Sequence, residues 1–513
     1  MKKLNILIVS AFIAGFALMT IELIATRLMA PYVGSSIYTW TSVIGVILLG
    51  MAVGNYAGGV YIDRKKSHRS LAMLFIAASV ATFFIPLFSY FSPIVALSGL
   101  SMSMTTILLA FLLFFIPAVF FGTLYPGILK LHLQTIDATG IRSGQISAAW
   151  SLGSIAGTFL TGFYFIGYIG SVTTILLMAL LVLTNAMVLA RIKKTTIGLI
   201  GLLFSIVGMM TYAMYLFADV RGVVFAAESE YYKIRIIDRE LGDRGRVRML
   251  LLDTDSHSVE GVEGQHLGTY PEIYPIFGAI HERMQDMLVI GGGSYDLSKK
   301  LADFYKGADV TTVEIDPKVQ RVADEYFQLN DYPVRQRVGD GRNFLRQTDR
   351  RYDLIFSDAY NSFISVPWHM ATKEFFEEAK ARLNEGGVFA VNFSSVRKGA
   401  GEEFFKSMEK TFGLVFENYY VFAFGADAYD AQNIVLVGVN TKIPIGVQEL
   451  RTKILRGENG AFLAKRSIDR SMTDEDTIIL TDTYAPVERL MSPLMNEYFA
   501  RNMAFYYGMV LAQ

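Results

Sequence analysis

Met287-Leu288-Val289-Ile290-Gly291-Gly292-Gly293 is the stretch whose reading decides the fold. Four apolar residues make a short buried strand, and the glycines that follow make a turn whose backbone can approach a ligand closely. Working outward, a second strand-like run at 310–313 ends on Glu314, about 20 residues beyond the glycines, the spacing at which an acid reaches a ribose. A third run ends in Val338-Gly339-Asp340-Gly341, and a fourth, Tyr352-Asp353-Leu354-Ile355-Phe356, enters Ser357-Asp358-Ala359-Tyr360-Asn361. Candidate strands at 287–291, 310–315, 334–338, 353–357, 387–393, 417–423 and 433–438 alternate with amphipathic helical stretches. That alternation predicts an α/β domain with a mostly parallel sheet, helices on both faces and ligands at the carboxyl ends of the strands. The Glu314 carboxylate can accept from both ribose hydroxyls, and Asp340 can accept from an adenine amino group. Together with Gly291, Gly292, Gly293 and Gly341 they predict an adenosine-type site, although the full GxGxxG spacing is missing.

The rest of the chain has another texture. It has 513 residues, 52% of them hydrophobic, and a mean hydropathy of +0.36. This is too apolar for a soluble enzyme of this length and excludes a disordered chain. Lysine plus arginine (47) balance aspartate plus glutamate (47), so no basic face speaks for a nucleic-acid partner. The absence of cysteine excludes disulfides, a thiolate nucleophile and any cysteine-ligated metal. Seven runs, near 5–30, 37–61, 71–91, 100–127, 145–168, 171–190 and 195–217, approach the ~20 apolar residues a bilayer span needs. Membrane lipids are therefore an expected partner. Lys2 and Lys3 precede the first run as in a signal peptide, but its length and lack of a small-residue cleavage site predict a retained helix. The organisation read from these features is an α-helical multi-pass membrane domain at 1–217, a small β subdomain at 218–285 and the adenosine-binding domain at 286–513. Strand-like texture at 229–238 and 246–253 supports the middle piece.

Basic residues at Arg64-Lys65-Lys66, Arg69, Lys130, Arg142, Arg191, Lys193 and Lys194 fall on alternate loops, which places the N-terminus in the cytoplasm. Seven crossings then put the soluble half outside; a run that does not cross returns it to the cytoplasm, and charge alone leaves both open. Glu22 and Arg27 sit within the first span, where a structural pair, a snorkelling arginine or a substrate or headgroup contact are the readings. Gly50, Gly54, Gly58 and Gly59 suit close helix packing. Gly59-Val60-Tyr61-Ile62-Asp63-Arg64 resembles the loop motif of major-facilitator transporters, but seven spans are too few for that fold.

The segment from about 225 to 440 resembles the spermidine synthase (polyamine aminopropyltransferase) family, and the whole chain resembles its bacterial, membrane-fused branch. The resemblance rests on 287–293, Val313-Glu314-Ile315-Asp316 and Gly339-Asp340-Gly341. It is extended by Glu228-Ser229-Glu230-Tyr231, Leu252-Asp253, Tyr270-Pro271-Glu272 and Leu480-Thr481-Asp482-Thr483-Tyr484-Ala485-Pro486. It implies a Rossmann-like, class I methyltransferase fold with a small N-terminal β-sheet, no metal and no tightly bound cofactor. It further implies decarboxylated S-adenosylmethionine as co-substrate, aminopropyl transfer to an amine in polyamine (spermidine) synthesis, release of methylthioadenosine and a bacterial inner-membrane location. A homodimer is compatible with it. On this reading Asp358 holds the attacking amine and takes its proton, with Tyr270 assisting.

The departures are specific. Where the family has an aspartate after the glycines, this chain has Ser294; the aspartate three residues beyond the catalytic one is Asn361; and the glutamine after the LDG stretch is His257. His257 can orient a substrate group or act as a base, or be structural. Tyr360, like Tyr270, suits an adenine pocket or a core equally. Two missing acids weaken attraction for cationic amines and favour a ligand with a carboxylate, such as intact S-adenosylmethionine. The alternatives to aminopropyl transfer are thus a lyase, cyclase or methyltransferase acting on that sulfonium, or a non-catalytic polyamine or nucleoside transporter or sensor.

Overall fold

The computed structural model describes the chain except residues 1–5, 97–99, 134–138, 218–221, 241, 243–244, 263–268, 360–366, 442–445, 471–474 and 496–513. It forms two compact units that divide after Lys233.

Among the described residues the first unit contains seven helices long and apolar enough to cross a membrane: Ile6–Val33, Ile37–Arg64, His68–Ser89, Met102–His132, Thr139–Ile169, Ser171–Leu189 and Thr195–Met214. Small residues let two of them touch along their backbones. A Cβ on Gly50 would lie 2.6 Å from Ala118 Cβ, one on Gly54 2.0 Å from Val119 O, and one on Gly58 2.5 Å from Thr123 Cα. Gly59 faces open space. Asp63, at the end of the second helix, pairs with Lys130 at 2.7 Å. The fifth helix finishes as a π-helix over Thr161–Ile169, and Gly170 (φ +87°) breaks the chain before the next helix begins. Glu228 Oε2 accepts from Ser171 N–H at 2.8 Å and so caps that helix with an anion at its positive end.

Strand β1, Val223–Glu228, ends in a tight turn in which Ser229 N–H donates to Tyr232 O at 2.8 Å. Arg27 donates to Tyr231 O at 2.5 Å and Ser229 O at 3.0 Å. Of the readings open for Arg27, a structural role is served by these bonds rather than by Glu22, because the turn offers two carbonyls at the reach of a guanidinium fork. The same turn corrects the strand expected from 229; it starts at Lys233.

In the second unit, β2 (Lys233–Glu240), β3 (Arg246–Leu252) and β4 (Asp255–Gly261) run antiparallel, with Leu252 opposite Asp255 across a two-residue turn. Asp253 opens that turn in the left-handed region at φ +57°. An eight-stranded sheet follows, built from β5 (Asp286–Ile290), β6 (Asp309–Glu314), β7 (Val334–Val338), β8 (Tyr352–Ser357), β9 (Leu383–Ser395), β10 (Tyr419–Ala423), β11 (Gln432–Val439) and β12 (Ser467–Ile468). Its order is β12-β10-β11-β9-β8-β5-β6-β7. Strands β7, β6, β5, β8 and β9 are parallel, while β11, β10 and β12 return antiparallel. Strand β5 is central: Leu288 lies opposite Thr311 on one side and Ile355 on the other. Its Met287–Ile290 side chains are fully buried, as a strand covered on both faces requires, and Met287, Val289, Leu354, Phe356, Val388 and Val435 share one core.

If the second and fourth membrane helices depend on backbone contact, Gly54→Ala should lower thermal stability in detergent by about 1–3 kcal/mol, the usual cost of overpacking. Gly59→Ala should leave the melting curve in place.

Candidate active site

The carboxyl ends of β5, β6 and β8 meet at the glycine turn. Gly291 adopts φ +95°, and a Cβ there would sit 2.5 Å from Asp358 O, so the turn after β8 packs directly on its backbone. Asp358 N–H donates to Ile290 O at 2.7 Å, and Gly291 N–H donates to Val313 O at 2.9 Å. Glu314 comes in from β6. Its Oε2 accepts from Gly292 N–H at 2.7 Å and Gly293 N–H at 3.3 Å, and its Oε1 accepts from Asp316 N–H at 2.9 Å. Burial pushes the Glu314 carboxyl above its ordinary range, against the pull of those three amides. On the next turn a Cβ at Gly341 would lie 2.1 Å from Ile290 Cγ2, which only a glycine avoids.

Asp340 caps the helix Gly341–Gln347 by accepting from Asn343 N–H at 2.7 Å, and its other oxygen lies 3.9 Å from His369 Nε2. Behind it, buried Arg342 binds Glu378 at 2.8 and 2.9 Å and Asp482 at 2.7 and 2.8 Å. Thr372 also donates to Asp482, at 2.7 Å. The Leu480–Pro486 motif, which carried no role in the sequence, therefore fixes the first turn of the helix that Asp340 caps.

After Gly293 the chain continues with Ser294, Tyr295 and Asp296. Tyr295 is buried in the left-handed region at φ +62°, a conformation that costs a bulky residue about 1–2 kcal/mol. Its ring lies under Gly292, where a Cβ would meet it at 2.5 Å, and burial of that ring offsets the strain. Ser294 is fully buried beside Glu260, and its N–H donates to Ser258 Oγ at 3.2 Å. This bond brings β4 against the glycine turn and places half-buried His257 on the strand that contacts it.

Asp358 is held through both of its oxygens by side chains. Tyr270 O–H donates to its Oδ2 at 2.5 Å, and Asn392 Nδ2 donates to its Oδ1 at 2.8 Å. Asn433 in turn donates to Asn392 Oδ1 at 3.3 Å. Burial pushes Asp358 up to about 6, and the charge of Glu314 adds to the rise; the two hydrogen bonds work the other way. Burial first, then the Asp358 charge, raises the Tyr270 phenol well above its usual range, so it remains a donor. At neutral pH this arrangement is an ionised base held by two neutral donors. Asn392 was not expected from the sequence, where its only signal is one amide in the apolar run Val391-Asn392-Phe393. The structure thus brings Gly291, Gly292, Gly293, Ser294, Glu314, Gly341, Tyr270 and Asp358 to neighbouring turns. Tyr360 and Asn361 lie outside the described residues.

Residues 272–485, less than half of the chain, match the family model of the spermine/spermidine synthase domain. A probable polyamine aminopropyl transferase of Bifidobacterium longum is 34% identical over 141 residues, 27% of this chain and 31% of that protein. The chain therefore spans about a third of that relative. The polyamine aminopropyltransferase 2 of Aquifex aeolicus is 22% identical over 422 residues, 77% of this chain and 79% of that protein, a match that runs into the helical half. A probable spermidine synthase from Corynebacterium glutamicum has a TM-score of 0.39 at 19% identity, covering 50% of this chain and 98% of that structure.

Glu314→Ala removes the acceptor of three backbone amides and the expected ribose contact. Methylthioadenosine binding, read by calorimetry, should weaken by about 1.5–3 kcal/mol, roughly one to two powers of ten. Unchanged affinity would mean that the nucleoside binds elsewhere.

Proposed function

We propose that the protein is a membrane-bound transferase of the spermidine synthase type, which moves a three-carbon amine arm from an adenosyl sulfonium to an acceptor amine in polyamine synthesis. The observation that carries this reading is the partly buried Asp358 carboxylate, held by Tyr270 and Asn392 at the strand end beside the glycine turn. The match of 272–485 to the spermine/spermidine synthase domain supports the chemistry. The helices of the first unit support a multi-pass membrane protein, and the basic loops support an N-terminus on the cytoplasmic face of a bacterial plasma membrane.

In this reading the glycine turn, Glu314 and Asp340 hold the nucleoside. The acceptor nitrogen attacks the sulfur-bound carbon of the arm. The carbon–sulfur bond breaks with its electron pair going to sulfur, so the cationic sulfonium leaves as neutral methylthioadenosine. Asp358 receives the proton of the attacking amine. Orienting nitrogen, carbon and sulfur in line and removing one proton is most of the protein's work, since the leaving group is already activated.

Purified protein incubated with decarboxylated S-adenosylmethionine and a diamine should release methylthioadenosine. Asp358→Asn keeps the shape and removes the base, so turnover should fall roughly 10²–10⁴-fold while nucleoside binding persists. Wild-type turnover in that variant would remove Asp358 from the mechanism.

The pH profile is a separate check. A base held near 6 must lose its proton to work, so turnover should fall as pH drops through about 6, above the ordinary aspartate range. Tyr270→Phe deletes a bond that stabilises the carboxylate, so the acidic limb should move upward. A limb near 4 in the wild type would contradict the assignment.

A further inference from the structure

Three charged groups beside the site have no part in the chemistry above. Lys300, on the helix Asp296–Phe304 that follows the glycine turn, places Nζ 2.6 and 2.7 Å from the two carboxylate oxygens of Asp296. The same ammonium lies 3.5 Å from Glu272 Oε1, and Glu272 Oε2 accepts from Asn459 Nδ2 at 3.0 Å. Glu272 is buried and shares the short helix Tyr270–Ile273 with the tyrosine that holds Asp358. Asp296 is near enough for its charge to act on the Tyr270 phenol. The neighbouring Lys299 is engaged elsewhere, with Glu260 at 2.7 Å and Phe327 O at 2.8 Å.

A substrate ammonium entering an amine pocket needs carboxylates to replace its lost hydration. At this site the residue after the glycines is Ser294, buried and uncharged. The next acid along, Asp296, already has both oxygens on Lys300, and Glu272 shares the same cation. These two acids beside Tyr270 therefore already face a resident cation. A sulfonium arm bearing an α-carboxylate loses the repulsion that bare acids would impose, whereas an arm ending in an ammonium alone loses an attraction.

We propose that Lys300 is a specificity-determining residue, a built-in cation that offsets part of the charge of Asp296 and Glu272 and admits a sulfonium with a zwitterionic arm, intact S-adenosylmethionine, to the site. This rests on the transferase reading. The displacement is unchanged: the acceptor nitrogen bonds to the sulfur-bound carbon, the carbon–sulfur bond breaks toward sulfur, methylthioadenosine leaves, and the amine proton goes to Asp358. The transferred arm then keeps its carboxylate.

The test is a calorimetric titration of the full-length protein in detergent with intact S-adenosylmethionine, its decarboxylated form and methylthioadenosine. The wild type is expected to bind the two sulfoniums within about tenfold of each other. Lys300→Met uncovers two carboxylates and should swing the ratio toward the decarboxylated form by about tenfold or more, with methylthioadenosine affinity unchanged. Lys300→Arg should keep the wild-type ratio. Asp296→Asn, which removes one negative charge and leaves Lys300 balanced by Glu272 alone, should swing the ratio toward the intact form and serves if Lys300→Met does not fold. The inference is overturned if the wild type excludes intact S-adenosylmethionine, or if the ratio stays put in Lys300→Met and in Asp296→Asn. Failure of the wild type to release methylthioadenosine from either sulfonium would instead defeat the transferase reading, while the binding ratios would still judge Lys300.

Discussion

The site depends on one buried carboxylate. Glu314 sits at the end of β6 and accepts from the amides of Gly292 and Gly293, which lie beyond the end of β5. A glycine turn has no side chains of its own to hold it, and its backbone amides need acceptors once removed from water. Glu314 supplies them from one side, and from the other the turn after β8 closes down on Gly291 until no Cβ fits. Parallel neighbours make this economical: three strands ending at the same level deliver three turns to one place, each anchored by the strand beside it. The expected role of Glu314 in holding a ribose then has a second side, since ligand hydroxyls would share an acceptor that already shapes the loop.

This geometry explains which parts were legible in the sequence. A fully buried parallel strand reads as a continuous apolar run, and Met287–Ile290 and Leu354–Phe356 are such runs, so β5 and β8 were placed within a residue. Asp358 follows such a run directly, and Glu314 and Asp340 close the candidate strands beside it, which made the three visible. β4 was not visible, because Asp255-Ser256-His257-Ser258 has neither apolar alternation nor a bounding turn signal. Its task is to present Ser258 to the loop rather than to fill a core. β1 and the turn after it escaped for another reason. The turn is held by Arg27, which lies about 200 residues away in sequence, and no local pattern announces a guanidinium that distant.

Long-range partners also account for the missed site residue. Asn392 sits in the middle of β9, and its value comes only from strand order: β9 lies beside β8, so an amide on it can reach the carboxylate at the end of β8. Tyr295 illustrates the reverse, a residue plain in the sequence beside Ser294 whose consequence needed coordinates. The chain carries a left-handed tyrosine there, and the loop tolerates it because the ring is packed beneath Gly292. Rigid packing there places Ser294 inward and Asp296 at the head of the helix bearing Lys300.

The partners chosen for Asp358 bear on how it can act. A salt bridge would hold the carboxylate firmly ionised and lower its affinity for a proton, which makes a poor base. Tyr270 and Asn392 instead offer oriented dipoles that fix both oxygens and leave the charge uncompensated, so burial still lifts its pKa toward neutrality. A carboxylate in that state is stabilised most by an arriving cation, and an acceptor amine brings one when it enters protonated. Taking its proton turns the bound cation into a neutral nucleophile at the moment it faces the sulfonium, and leaves a neutral acid in a site that disfavours charge. Burial that is costly for the empty site thus becomes part of the driving force for proton transfer, provided no resident cation reaches Asp358. Lys300, committed to Asp296 and Glu272, meets that condition while still setting the charge that a substrate arm encounters.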